Sequence, residues 1–230
     1  MIVLCNGMPR SASTWSYNVC LRLLSERFPG ASIYAAYNEN FAGCVDQLGP
    51  EYHHLLLKSH TLDDLSRHLF RLGAIKTIYT HRDPFDAIAS YMRMFNQSFE
   101  IAFSAIRRSF ELYRLHQGDS CTLPYECVVH SPLEAVRRVK EYLGLDVSEK
   151  VLVQIASETG MEAMKNIGDQ LESAPPESLV CVNGLVYDRR TLLHKRHIRD
   201  GNSGYGRSML SAEQQRMVEE AFPGLIDRRT

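Results

Sequence analysis

The chain has 230 residues, 44% hydrophobic and 23% charged, an ordinary globular balance with enough length for one large domain (1–230) and its core. A formal net charge of -1 leaves no global basic field to draw nucleic acid, and no run approaches the ~18 apolar residues of a membrane span. The six cysteines are scattered with no C-x-x-C pair, and the start lacks the charged n-region of a signal peptide, so a soluble cytoplasmic protein with reduced thiols is expected.

Ile2–Leu4 is a short apolar run, read as a buried strand. The chain breaks at Asn6-Gly7, turns through Met8-Pro9 and presents Arg10-Ser11-Ala12-Ser13-Thr14 ahead of an amphipathic helix that starts near Trp15. Phe28-Pro29-Gly30 stops that helix. Residues 31–52 have weak periodicity and carry Tyr34, Tyr37, Glu39 and Phe41; they read as a long connection or as a mobile segment over a ligand. His54–Lys58 is a second strand, Leu62–Leu72 a helix ended by Gly73, and Ile75–Thr80 a third, β-branched strand. Pro84 opens the next helix, which runs to about Phe95, and a long helix follows from Phe99 to His116. A fourth strand is expected within Cys121–Val129, including Tyr125. Two helices come next, Pro132–Leu143 and about Val147–Glu158. Asn183-Gly184 between two apolar runs is a type I′ hairpin signal. A basic run and a glycine-rich stretch, Gly201 to Gly206, precede a last helix capped by Ser211.

Strands alternating with helices predict an α/β fold in three layers, a mainly parallel central sheet with helices on both faces. Ligands then bind off the carboxyl ends of the strands, where Arg10, Lys58, His60 and Arg82 all fall. The first loop reads as a P-loop-like strand-loop-helix anion site, in which loop N–H groups, the helix N-terminus and Arg10 meet one anion, with Ser11, Ser13 and Thr14 as hydroxyl donors or N-caps. It also reads as an ordinary capped helix start. It is not a Walker A loop, since no Gly-Lys follows Gly7, and Cys5 and Arg10 are one residue too close for a Cys-x5-Arg loop.

These residues, taken together, resemble the sulfotransferases that use 3′-phosphoadenylyl sulfate (PAPS), and the resemblance covers most of the chain. Pro9-Arg10-Ser11-Ala12-Ser13-Thr14-Trp15 is similar to that family's 5′-phosphosulfate loop, P-[KR]-S-G-[ST]-[ST]-W. Lys58-Ser59-His60 resembles the K-T-H that carries the catalytic histidine, and Arg82 with Ser90 resembles the pair on the 3′-phosphate. Tyr125-Glu126, the segment Thr159 to Lys165 with Met161, and Arg199-Asp200-Gly201 resemble the adenine-side strand end, the adenine-side segment and the loop closing on the 3′-phosphate. The sequence departs from the pattern at Ala12, where glycine is usual, at Arg10, where many members have lysine, and at Asp200, where lysine is usual.

The resemblance implies sulfuryl transfer from PAPS to a hydroxyl acceptor, small molecule or saccharide, leaving 3′,5′-ADP (PAP) and requiring no metal. His60 is the implied general base, with Arg10 and Lys58 stabilising the leaving charge. Trp15 reads as an adenine contact or as core. Asp63 and Glu39 are lesser candidates for the base, each also readable as surface or cap. The alternatives are a P-loop-type small-molecule kinase and a non-catalytic nucleotide-binding member of the fold. No nucleic acid or membrane partner is expected, and the oligomeric state is left open.

Overall fold

The apolar run at the start of the chain forms the middle strand of the central sheet. In the computed structural model, which describes residues 1–182, 184–194, 198 and 201–226, β1 (Ile2–Gly7) is followed by α1 (Ser13–Arg27), β2 (Ile33–Tyr37), α2 (Phe41–Asp46), β3 (His54–Lys58) and α3 (Asp64–Arg71). β4 (Ile75–His81), α4 (Pro84–Phe95), α5 (Phe99–His116), β5 (Cys121–Pro124) and α6 (Tyr125–His130) come next. α7 (Pro132–Leu143), α8 (Glu149–Glu158) and α9 (Met161–Asp169) lead to the hairpin β6 (Leu179–Val182) and β7 (Leu185–Asp188), and α10 (Ala212–Ala221) ends the fold. The five-stranded sheet runs β2-β3-β1-β4-β5 and every pairing in it is parallel.

Alternation along the strands divides the core. Val3 and Cys5 turn to one face and join Leu23, Val136, Val139, Leu152 and Ile155 from α1, α7 and α8. Leu4 turns to the other face, with Leu57, Tyr79 and Leu112. A third cluster, around Ile88, Ile106, Phe110 and Phe222, ties α4, α5 and α10 together. The predicted three-layer, mainly parallel α/β architecture is the one observed. Among the described residues no helix is long and apolar enough to cross a membrane.

Three local expectations are corrected. Residues 31–52 hold β2 and the short α2 rather than a structureless connection. β2 pairs only with β3 and every one of its residues is half-buried, so its sequence lacks the contrast of a strand with one dry face. Tyr125 is not in a strand: β5 ends at Pro124, which serves as the N-cap of α6, and Tyr125 is the first helical residue. The cap of α1 is Ala12, not a serine or threonine, and makes no side-chain cap bond. The hairpin forms as the Asn-Gly signal predicted, with Gly184 at φ +77°, while Asn183 lies outside the described residues.

Candidate active site

β1, β3 and β4 end side by side, and the loop after β1 is pinned to the end of β4. A Cβ on Gly7 would collide with the Thr80 side chain, so only glycine lets the two strand ends close up. The Met8 amide donates to the Thr80 carbonyl at 2.9 Å. The Ser11 hydroxyl lies 2.6 Å from the Met8 carbonyl and 2.9 Å from that of Thr80, and is fully buried. This hydroxyl holds the turn against the end of β4. Ser13 and Thr14 do line the cavity beyond the loop, and their N–H groups, in the first turn of α1, have no intrahelical acceptor.

The loop is built on two left-handed residues, Arg10 at φ 68° and Ala12 at φ 75°. A non-glycine residue in that region costs roughly 1–2 kcal/mol. Ala12→Gly is therefore expected to raise stability by about 1 kcal/mol, a rise of roughly 2–4 °C in Tm for a protein of this size. A lower Tm in calorimetry would show that the Ala12 methyl contributes packing that outweighs the strain.

The cavity encloses about 1240 Å³ along the strand ends. β3 delivers Lys58 and His60 into it. The Lys58 ammonium is buried, stands 3.2 Å from Nε2 of His60 and sits 4.7 Å over the Tyr37 ring. Burial, outweighing the nearby Glu39 carboxylate, lowers its pKa to about 8. His60 Nδ1 is 2.8 Å from the Gly7 carbonyl, which accepts only from a protonated nitrogen, so the proton is on Nδ1 and the Nε2 lone pair faces Lys58. Burial first, then the Lys58 charge, lowers the His60 pKa to about 4 and keeps the ring neutral near pH 7.

Glu39 is the residue the sequence reading undervalued. Its carboxylate accepts from the His60 amide at 3.1 Å, the Ser59 hydroxyl at 2.9 Å, the Thr61 hydroxyl at 2.6 Å and the Tyr37 hydroxyl at 2.6 Å. It fixes the turn that carries His60. Burial opposes its charge, but the bonds from Thr61 and Tyr37 and the neighbouring His60 hold its pKa below the usual carboxylate value. Asp63 is the N-cap of α3, accepting from the Ser66 amide.

A second cationic group, Arg10 and Arg82, lines the same cavity. Arg10 Nε donates to the Ser90 hydroxyl at 3.2 Å, and burial, then repulsion from Arg82, lowers the Arg10 pKa to about 10. Arg82, buried at the start of α4, packs its guanidinium 4.0 Å over the Tyr125 ring and 6.0 Å from that of Tyr205. It also donates to the Asn202 carbonyl and approaches the Asp86 carboxylate at 3.5 Å. Trp15, Thr159, Met161 and Gly201 complete this end of the cavity, and a Cβ on Gly201 would collide with the Met161 sulfur. Arg199 and Asp200 lie outside the described residues. Two buried donors, Arg82 Nε and Trp15 Nε1, have no hydrogen-bond partner among the described residues. Among the described residues no cluster of three or more His, Cys, Asp or Glu is placed to hold a metal.

The chain is similar to known proteins over most of its length. The sequence model of the sulfotransferase domain matches residues 7–223. Among solved structures, a mouse sulfotransferase complexed with PAP is similar at 16% identity and TM-score 0.63, covering 96% of this chain and 82% of that one. A retinol dehydratase in complex with androsterone and inactive cofactor PAP is similar at 15% identity and TM-score 0.61, covering 99% and 81%. The same enzyme in a complex with retinol and PAP matches equally well, again at TM-score 0.61. No curated protein matches the chain.

Proposed function

The chain belongs to the sulfotransferase family, and on that premise we propose that it transfers the sulfuryl group of PAPS to the hydroxyl of a small-molecule or saccharide acceptor. The observation that carries this reading is the Lys58–His60 pair: a neutral imidazole with its tautomer fixed by Gly7 and its Nε2 lone pair turned to the buried Lys58 ammonium at 3.2 Å. His60 takes the acceptor's hydroxyl proton on Nε2. The acceptor oxygen bonds to sulfur as the bond from sulfur to the bridging phosphate oxygen breaks. That oxygen keeps the electron pair, and Lys58 and Arg10 meet its charge.

The P-loop-like first loop and the first turn of α1, with Ser13 and Thr14, suit the 5′-phosphate. Arg82, Ser90 and Gly201 suit the 3′-phosphate, and Arg199 is proposed to join them. Trp15, Tyr125, Thr159 and Met161, which line the same cavity, suit the nucleoside. The retinol dehydratase complexes hold androsterone or retinol, and the aromatic side chains Tyr37, Tyr91 and Phe95 favour an apolar acceptor here too. A reducing, cytoplasmic setting suits six unpaired cysteines, four of them buried.

The test is calorimetric titration with 3′,5′-ADP against 5′-AMP, followed by a sulfuryl-transfer assay. Binding that depends on the 3′-phosphate supports the donor assignment; equal affinity for the two nucleotides removes it, and transfer from Mg-ATP would turn the reading to a kinase. The lowered Lys58 pKa adds a signature. At pH 8.5 free Lys58 is mostly neutral, and a bound anion favours its ammonium, so 3′,5′-ADP binding should take up as much as about one proton. At pH 6.5 Lys58 is already charged and contributes none. Titrations in buffers of different ionisation heat read the uptake, and Lys58→Met should abolish it.

A further inference from the structure

Asp86 is completely buried in the first turn of α4, and its two oxygens are used separately. Oδ2 accepts from the Gly204 amide at 2.7 Å and Oδ1 from the Gly206 amide at 2.7 Å, while Arg82 lies 3.5 Å from Oδ2. A buried carboxylate persists only when its charge is balanced and its acceptor sites are filled. Here the balance comes from Arg82, and the acceptors are filled by a loop almost 120 residues further along the chain. The seat is sterically closed: a Cβ on Gly206 would collide with the Phe85 carbonyl and the Asp86 amide. The same loop sends its Asn202 carbonyl to Arg82, its Ser203 hydroxyl to Glu126, and its Tyr205 ring toward Arg82 and, at 4.9 Å, Arg93.

We infer that Asp86 is a positioning residue, a two-point clip that seats the 201–206 loop against Arg82 and so builds the wall that selects a nucleotide bearing a 3′-phosphate. Asp86 does not touch the ligand. It aims Arg82 from behind and holds the loop in front, so the cation and the loop are set by one carboxylate. The selectivity half of the inference rests on the donor assignment; the clip itself does not.

The experiment compares wild type with Asp86→Asn and Gly206→Ala. Asparagine keeps the shape but offers one acceptor where two are needed and points an N–H₂ at an amide or at Arg82. Gly206→Ala unseats the loop and leaves every charge in place. Two readings are taken on each protein: amide hydrogen exchange of the 201–206 segment without ligand, and calorimetric Kd for 3′,5′-ADP and for 5′-AMP. Expected are at least about tenfold faster exchange of the segment in both variants, a roughly 10- to 100-fold weaker Kd for 3′,5′-ADP, and a change under about threefold for 5′-AMP. Unchanged exchange, or equal losses for the two nucleotides, overturns the inference. If Asp86→Asn does not fold, Gly206→Ala carries both readings alone. If wild type shows no preference for the 3′-phosphate, the donor assignment falls with the selectivity half, and the exchange data still decide the clip.

Discussion

Replacing His60 with alanine is expected to lower turnover by ~10²–10⁴-fold and to leave 3′,5′-ADP affinity within a few fold. The imidazole is a neutral group whose lone pair is oriented and beside the proposed leaving-group cation. Gly7 holds Nδ1, Glu39 holds the backbone of the turn, and Lys58 keeps Nε2 from protonation by solvent near pH 7. Lys58, the one of these contacts assigned to the nucleotide, keeps its place in β3 when the ring is removed, which is why binding should survive. Single-turnover measurements at saturating donor separate the two effects. Normal turnover in His60→Ala would remove the base from the mechanism, and a parallel collapse of nucleotide affinity would recast His60 as part of the binding wall.

Arg82→Ala is expected to do two kinds of damage. It removes the guanidinium proposed for the 3′-phosphate, so the Kd for 3′,5′-ADP should rise by ~10²-fold while that for 5′-AMP changes little. It also leaves Asp86 buried without its cation, a loss on the order of 3 kcal/mol that should lower Tm by roughly 5–10 °C. The double variant Arg82→Ala with Asp86→Asn separates the two: part of the Tm should return, because the uncompensated charge is gone, and none of the affinity should. Equal losses for both nucleotides in Arg82→Ala would contradict the assignment of the 3′-phosphate to this end of the cavity.

The sequence made the alternation of strands and helices legible because most elements carry strong local signals. α5 and α7 begin and end where the pattern predicts, the latter between Pro132 and a left-handed Gly144. The cations also gather as predicted, since the carboxyl ends of parallel neighbours share one edge. What stayed hidden depends on partners far away in the chain. β2 lies at the sheet edge, half-covered on both sides, and Ala35-Ala36 between tyrosines shows no dry face. Val128-Val129 looked like more strand after Cys121, but α6 had already begun at Tyr125. Glu39 reads as one polar residue between two asparagines; its partners Ser59, His60 and Thr61 are about 20 residues on, across the β2–β3 pair. Asp86 reads as a helix-start carboxylate, and nothing local announces the glycine amides that meet it. Ser11, a motif hydroxyl, turns inward to hold the loop.

The position of β1 has a consequence for how the protein is made. The central strand precedes both of its neighbours along the chain: Ile2 pairs with Leu55 on one side and with Ile75 on the other. At ~5–20 residues per second, roughly 4–15 s pass between synthesis of Ile2 and of Ile75. Ile2-Val3-Leu4 has neither edge paired until β3 is made and keeps one edge open until β4 arrives, and a nascent chain of this kind is a client for holding factors. Nucleation must wait for those distant pairings, which places this sheet among the slow folders and makes the early chain, rather than the finished protein, the stage most exposed to aggregation.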